Sequence, residues 1–154
     1  MSVINGFISK DESDRLFQNL KTKVQWNVGI PTRNGGISRL QSHFQMIPYE
    51  IQCEILEIVN RIFSSDTNNN YNLEGIYLNY YRNGNDYCPR HKHDSRQCII
   101  SLGSPRHITI NNKKILLEPG SVCIFNNEYH SVDRDYKSGE RISIVIFFTI
   151  TKKI

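Results

Sequence analysis

The sequence predicts an α+β fold in which two amphipathic helices back a β-sandwich or open barrel of about seven or eight strands. Three observations carry this expectation. Apolar residues recur at helical spacing in two stretches before residue 65. After Gly75 the texture changes to short alternating or apolar runs, separated by turn residues. No apolar run approaches the ~18 residues of a membrane span, so no membrane partner is expected and the helices need a protein core.

The first helix is announced by "FISKDESDRLFQNLKTKV". Ser9 and Glu12 have capping-box spacing, and Phe7 and Ile8 are placed for a staple. Leu16, Phe17, Leu20 and Val24 then share one helical face. In "IPYEIQCEILEIVNRIF" Pro48 suits a first turn, and Ile51, Ile55, Ile58, Val59 and Ile62 form a stripe. Between the helices, the Gly-rich centre of "WNVGIPTRNGGISRLQSHFQ" predicts a hairpin or lid. "SSDTNNNYN", residues 64–72, reads as an exposed loop.

The strands follow. "IYLNYYR" alternates, with Ile76, Leu78 and Tyr80 on one face and Tyr77, Asn79 and Tyr81 on the other. "CIISL" and "HITI" come next; Asn111–Asn112 turns the chain into "KKILLE", and Pro119–Gly120 turns it into "SVCIF". The last strand, "RISIVIFFT", has Arg141, Ser143, Val145 and Phe147 on one face and only Ile142, Ile144, Ile146 and Phe148 on the other.

A length of 154 residues suits a single domain, 1–154, large enough to bury a core. The 38% hydrophobic content fits a soluble globular chain with many polar turns. "MSVINGFISK" lacks the basic-then-apolar pattern of an export signal, so an intracellular location, cytoplasmic or nuclear, is expected. The four cysteines show no CxxC pairing, which argues for reduced thiols rather than a disulfide framework or zinc knuckle. A net charge of +4 is compatible with an anionic partner but too small to argue for nucleic acid by itself.

The chemistry concentrates in "CPRHKHDSRQ". In an extended chain His91 and His93 share a face, and His130 arrives at the far end of "SVCIFNNEYH". Three imidazoles from two strands can make three corners of a metal site with positions left open. Such donors suit non-haem Fe(II), and also Zn, Cu and Ni. An HxH pair alone also arises by chance on a surface; the third histidine after a Pro-Gly turn makes the metal site the stronger reading. His43 and His107 fit no such pattern. Arg141 opens a strand of apolar neighbours, either as an exposed first residue or as a guanidinium waiting for a carboxylate. Asn79 and Tyr81 share a face and could add hydrogen bonds to the same acid.

"NYYRNGNDYCPRHKHD", residues 79–94, resembles the AlkB-like family of Fe(II)- and 2-oxoglutarate-dependent dioxygenases. That family carries an Asn-x-Tyr strand, an Asp-Gly or Asn-Gly turn and a GxD step before a His-x-Asp metal motif. "SLGSPRHI", "LEPGSVCIFNNEYHSV" and "RISIVIFF" resemble its later strands, and "RLQSHF" its nucleotide-lid strand. The likeness spans nearly the whole chain. It implies a double-stranded β-helix (jelly-roll) core with two N-terminal helices packed on one sheet. It also implies Fe(II), or another divalent metal, with 2-oxoglutarate and O2. His91, His93 and His130 would hold the metal, and Asn79, Tyr81, Arg141 and Ser143 the cosubstrate. In such proteins the cosubstrate is converted to succinate while a C–H bond is hydroxylated. The target is often a methyl group on a nucleobase nitrogen, lost as formaldehyde. A nucleic acid or modified nucleotide is therefore the implied substrate, with Arg33, Arg39 and Phe44 as candidate contacts.

Three departures stand out. His93 replaces the aspartate, which leaves the site one unit more positive; Asp94 is an alternative ligand only if the strand bulges. Ser143 stands where the family has Asn, and Phe147 where it has a second Arg. The lid is short and lacks clear aromatic stackers. Two other readings follow: a cupin-like three-His metalloprotein, with Gln97 where cupins often have Glu, and a catalytically altered relative acting as a binding module.

Overall fold

Ser9 caps the first helix as its spacing suggests: its Oγ accepts from the Glu12 backbone N–H at 3.2 Å. The computed structural model describes residues 1–29 and 31–154. Strand β1 (Ser2–Ile4) precedes helix α1 (Lys10–Lys23), and β2 (Asn27–Val28) and β3 (Leu40–His43) lead through a short 3-10 turn (Phe44–Met46) into helix α2 (Tyr49–Ser64). The strand-rich part comprises β4 (Asn69–Tyr81), β5 (Cys88–His91), β6 (Arg96–Gly103), β7 (Arg106–Ile110), β8 (Lys113–Leu117), β9 (Val122–Phe125), β10 (His130–Val132) and β11 (Arg141–Lys152).

These strands form two antiparallel sheets. The larger has seven strands in the order β1-β9-β6-β11-β4-β3-β2, and the smaller has the order β5-β10-β7-β8. The result is a jelly-roll backed by two helices, as expected. Eight strands, β4 to β11, follow the second helix, as expected; the short strands β1, β2 and β3 before it are additions that carry no periodic pattern to read. Asn111 and Asn112 turn β7 into β8 with φ of 50° and 65°, the left-handed pair that two-residue hairpins require.

Two cores result. The stripes of α1 and α2 cover the outer face of the large sheet, where Ile76, Leu78, Tyr80, Ile142, Ile144, Ile146 and Phe148 are buried. Ile99, Ile108, Ile110, Leu117, Cys123, Phe125 and Val145 fill the space between the sheets. No helix among the described residues is long and apolar enough to cross a membrane.

One expectation is corrected. Residues 69–72, read as part of an exposed loop, belong to β4, because β11 runs on to Lys152 and offers its hydrogen-bonding edge to Asn69. Tyr71 anchors this extension by stacking on Phe63 with ring centroids 4.5 Å apart. The tertiary partner overrides the polar local composition.

The loop after β4 is built around a buried carboxylate. Asp86 accepts from Arg82 N, Nε and Nη2 at 2.8–2.9 Å. Behind it, buried Arg106 donates to the carbonyls of Asn83, Asp86 and Asp133. A side chain on Gly84 would run into the Asp135 backbone carbonyl. Gly84→Ala is therefore expected to destabilise the fold by about 1–3 kcal/mol, the range for forced overpacking. Thermal or urea unfolding checks this, and an unchanged midpoint would contradict it.

Candidate metal centre

The floor of the site is the inner face of the large sheet. Arg141 pairs with Tyr81, Ser143 with Asn79 and Val145 with Tyr77 across β11 and β4. On the other side of β11, Ser143 pairs with Ser101, Val145 with Ile99 and Phe147 with Gln97 of β6. Gln41 of β3 pairs with Asn79. Because side chains alternate along a strand, all of these point between the two sheets. All of them except Ser101 line a cavity of about 830 Å³, within the size range of small-ligand sites.

The small sheet supplies the roof and the histidines. His91 at the end of β5 pairs with His130 at the start of β10. His93 lies just beyond β5 and joins them, and one ring nitrogen from each residue lies within 4.8 Å of the other two. Three nitrogens bound to one ion at ~2.1 Å sit no more than ~4.2 Å apart, so a slight inward turn of the rings suffices. His91 Nδ1 contacts the Pro89 carbonyl at 2.7 Å, and His130 Nδ1 contacts the Glu128 carbonyl at 3.0 Å. A carbonyl can only accept, so Nδ1 is the donor of each ring in these contacts, which leaves Nε2 as the nitrogen available to a metal. Asp94 lines the cavity but lies outside the three-histidine cluster.

The electrostatics favour neutral ligands. Burial, then the neighbouring histidines, depresses His130 to about 4 against the opposing pull of the Glu128 carbonyl. Burial and His91 also lower His93. Neutral rings are the metal-binding form. Phe125 packs on His130 and Phe147 on His93, each with centroids 4.9 Å apart. Gln97 sits between these two aromatics on the adjoining strands. It is 1% exposed, and its Nε2 has no partner among the described residues.

The deep end is cationic. Arg141 is 1% exposed; its Nη2 donates to Ser101 Oγ at 2.9 Å, while Nε and Nη1 are buried with no hydrogen-bond partner among the described residues. Tyr81 lies against it, ring centroid 5.3 Å from the guanidinium carbon. Burial pushes the Tyr81 phenol up to about 12, so it remains an O–H donor. Asn79 Oδ1 accepts from Arg39 Nε at 2.8 Å and from Gln41 Nε2 at 3.3 Å. Its oxygen is thereby occupied, and its NH2 is left for a ligand.

The residues expected to act together thus separate into two groups. His91, His93, His130, Asn79, Tyr81, Arg141 and Ser143 line one cavity. Arg33 is exposed and not among the lining residues, and Phe44 packs against the helix-side core. Arg39 is turned inward onto Asn79 rather than outward from the lid. Arg106, Gln41 and Ser101 were not singled out in sequence. Only the strand register reveals their role, because each is an ordinary polar residue in its local context.

No protein-family model matches the sequence, and no curated protein matches it. Solved structures do match. Viral collagen prolyl hydroxylase from Paramecium Bursaria Chlorella virus-1, in a 2OG complex, has a TM-score of 0.66 at 18% identity, covering 96% of this chain and 94% of that one. A 2OG-Fe(II) oxygenase family oxidoreductase from Burkholderia pseudomallei has a TM-score of 0.65 at 14% identity, covering 96% and 82%. OsALKBH1 has a TM-score of 0.62 at 16% identity, covering 95% and 96%. The chain has the fold of the 2OG-Fe(II) oxygenases.

The depressed His130 sets a pH dependence. Its folded value of about 4 lies below the unfolded value near 6.5. Stability is therefore full above ~6.5 and declines as pH falls toward ~4, because the unfolded chain takes up a proton that the folded one refuses. Melting temperatures of metal-free protein from pH 7 to 4.5 should fall more steeply for wild type than for His130→Asn. Equal slopes would contradict this account.

Proposed function

We propose that the protein is a metal-dependent, 2-oxoglutarate-using oxygenase of the AlkB-like type with a three-histidine centre, acting on a nucleic acid or modified nucleotide. The observation that carries this reading is Arg141. It lines the same cavity as the histidine cluster, and two of its nitrogens are buried with no hydrogen-bond partner among the described residues. A buried guanidinium without an acid is costly unless a ligand supplies one. The donor set fits the absent groups: three neutral imidazoles suit Fe(II) or a related divalent ion, and Arg141 with Tyr81 and Asn79 suits a carboxylate.

His91, His93 and His130 would hold the ion through their bare nitrogens. Arg141 would fork the distal carboxylate, with the Tyr81 O–H, the Asn79 NH2 and Ser143 beside it. The bound metal and 2-oxoglutarate would together activate O2 for hydroxylation of a substrate C–H bond. Phe147 and Val145 line the cavity wall, and with Phe125 packed on His130 they keep the surroundings of the histidines apolar. Three neutral ligands leave a divalent ion with its full +2 charge, which should strengthen its hold on an anionic cosubstrate.

The nucleic-acid part rests on the resemblance of residues 79–94 to the AlkB-like family and on the net charge of +4. The fold is compatible with other substrates, since a prolyl hydroxylase shares it. The cupin-like alternative draws on the three imidazoles and on Gln97, whose amide reaches the cavity unpaired. It has no use for two helices or for a buried Arg141, and the oxygenase reading accounts for both.

The deciding assay is succinate formation with Fe(II), O2 and 2-oxoglutarate over a panel of methylated oligonucleotides. Succinate above background is expected with at least one of them; 2-oxoglutarate binding with no succinate under any condition would point to a binding module. Arg141→Gln should weaken 2-oxoglutarate binding about 30-fold or more while metal loading persists, the loss of one buried charge-assisted contact. His93→Asp should change both metal affinity and turnover. If it leaves both untouched, His93 is not a ligand.

A further inference from the structure

We infer that the carboxylate taken by Arg141 is gripped from a second side by Arg39, so that its binding site lies between two guanidiniums flanking Tyr81. This rests on the proposed 2-oxoglutarate site and adds a residue from the β2–β3 hairpin that the reading does not otherwise use.

The register places Arg39. Gln41 pairs with Asn79 and points inward, so Arg39, two residues earlier, points the same way at the level of Tyr81. Arg141 pairs with Tyr81 from the opposite side. One inner row therefore reads Arg39, just before β3, then Tyr81 of β4 and Arg141 of β11. Both arginines line the cavity, and Arg39 is only 6% exposed. The backbone holds Arg39 in place, since Gly29 N donates to its carbonyl at 2.8 Å.

The hydrogen bonds of Arg39 are incomplete. Nε donates to Asn79 Oδ1 at 2.8 Å, and Nη1 has only a long contact of 3.4 Å to Ser38 Oγ. No salt bridge among the described residues involves Arg39 or Arg141. Arg82 shows the contrast: it is forked by both oxygens of Asp86. Arg106 also lies over Tyr81, at 5.3 Å, but three backbone carbonyls hold it in a structural role. Arg39 and Arg141 are thus two nearly buried cations at one end of a cavity, and neither has an acid.

Two buried guanidiniums around one phenol repel each other until an anion arrives. A carboxylate offers four lone-pair sites, enough to accept from Arg141 on one side and Arg39 on the other. The Arg39–Asn79 bond makes the arrangement directional, because it turns the Asn79 NH2 toward the same ligand. On this account Arg39 serves the cosubstrate, not a substrate phosphate.

Calorimetric titration of 2-oxoglutarate into the metal-loaded full chain under anaerobic conditions tests this. Arg39→Gln should weaken binding about tenfold or more, the effect of losing one charge-assisted contact. Arg39→Lys should recover part of the loss, and Arg33→Gln on the exposed side of the hairpin should change nothing. Arg39→Met, of similar length, serves if Arg39→Gln does not fold, with melting temperatures as the check. In turnover, the KM for 2-oxoglutarate should rise while that for substrate holds. Unchanged 2-oxoglutarate affinity in folded Arg39→Gln or Arg39→Met overturns the inference, as does a rise confined to the substrate KM. If Arg141→Gln abolishes binding and the Arg39 variants do not, the cosubstrate reading stands without Arg39. If wild type binds no 2-oxoglutarate, the cosubstrate reading fails and Arg39 falls with it.

Discussion

The pairing of β11 with β4 is the constraint on which the rest depends. It runs from Arg141↔Tyr81 to Lys152↔Asn69, with one irregularity at Phe147/Phe148. On one side of this ribbon, Ile142, Ile144, Ile146 and Phe148 meet the helices. Burying such a side chain contributes roughly 1.5–3 kcal/mol, so four of them hold the register firmly. A slip of one residue would turn Arg141 and Ser143 into the helix-side core and expose the isoleucines to the cavity. The interactions that stabilise the fold therefore also fix which polar side chains face the site.

That site is unusual in its charge. His93 and His130 are pushed toward neutrality by burial, and Arg39 and Arg141 at its deep end have no acid partner among the described residues. The carboxylates that line the cavity, Glu74 and Asp94, are exposed at its margin. The polar atoms left without partners in the cavity, on Arg141 and Gln97, lie at its deep end and beside the histidines respectively. A structure rarely leaves such groups unpaired without a use for them. They lie at the two ends of the cosubstrate site proposed above, one at Arg141 and the other near the histidine cluster.

Much of the architecture was legible because it rests on local periodicity. The Ser9 cap, the isoleucine stripe of α2, the alternation in "IYLNYYR" and "RISIVIFFT", and the Asn111–Asn112 turn all express short-range rules. The histidine cluster was legible for a similar reason: HxH on an extended chain needs only alternation, and His130 follows a recognisable turn. What failed was anything set by a distant partner. Residues 69–72 look like a loop until β11 runs alongside them. Arg39 and Arg106 look like surface cations because burial of a charge depends on atoms far away in sequence. Arg33 and Arg39 are both polar residues of one lid segment, yet one is exposed and the other reaches Asn79.

By itself the sequence determined the two helices and the apolar sheet face that they cover, the strand alternation and the three imidazoles, because each depends on spacing along the chain. Only the tertiary structure decided which cations are buried, which way Asn79 turns and that Asp94 stays apart from the histidines. Those outcomes depend on register between strands and on desolvation, and both are properties of neighbours that the chain brings together only when it folds.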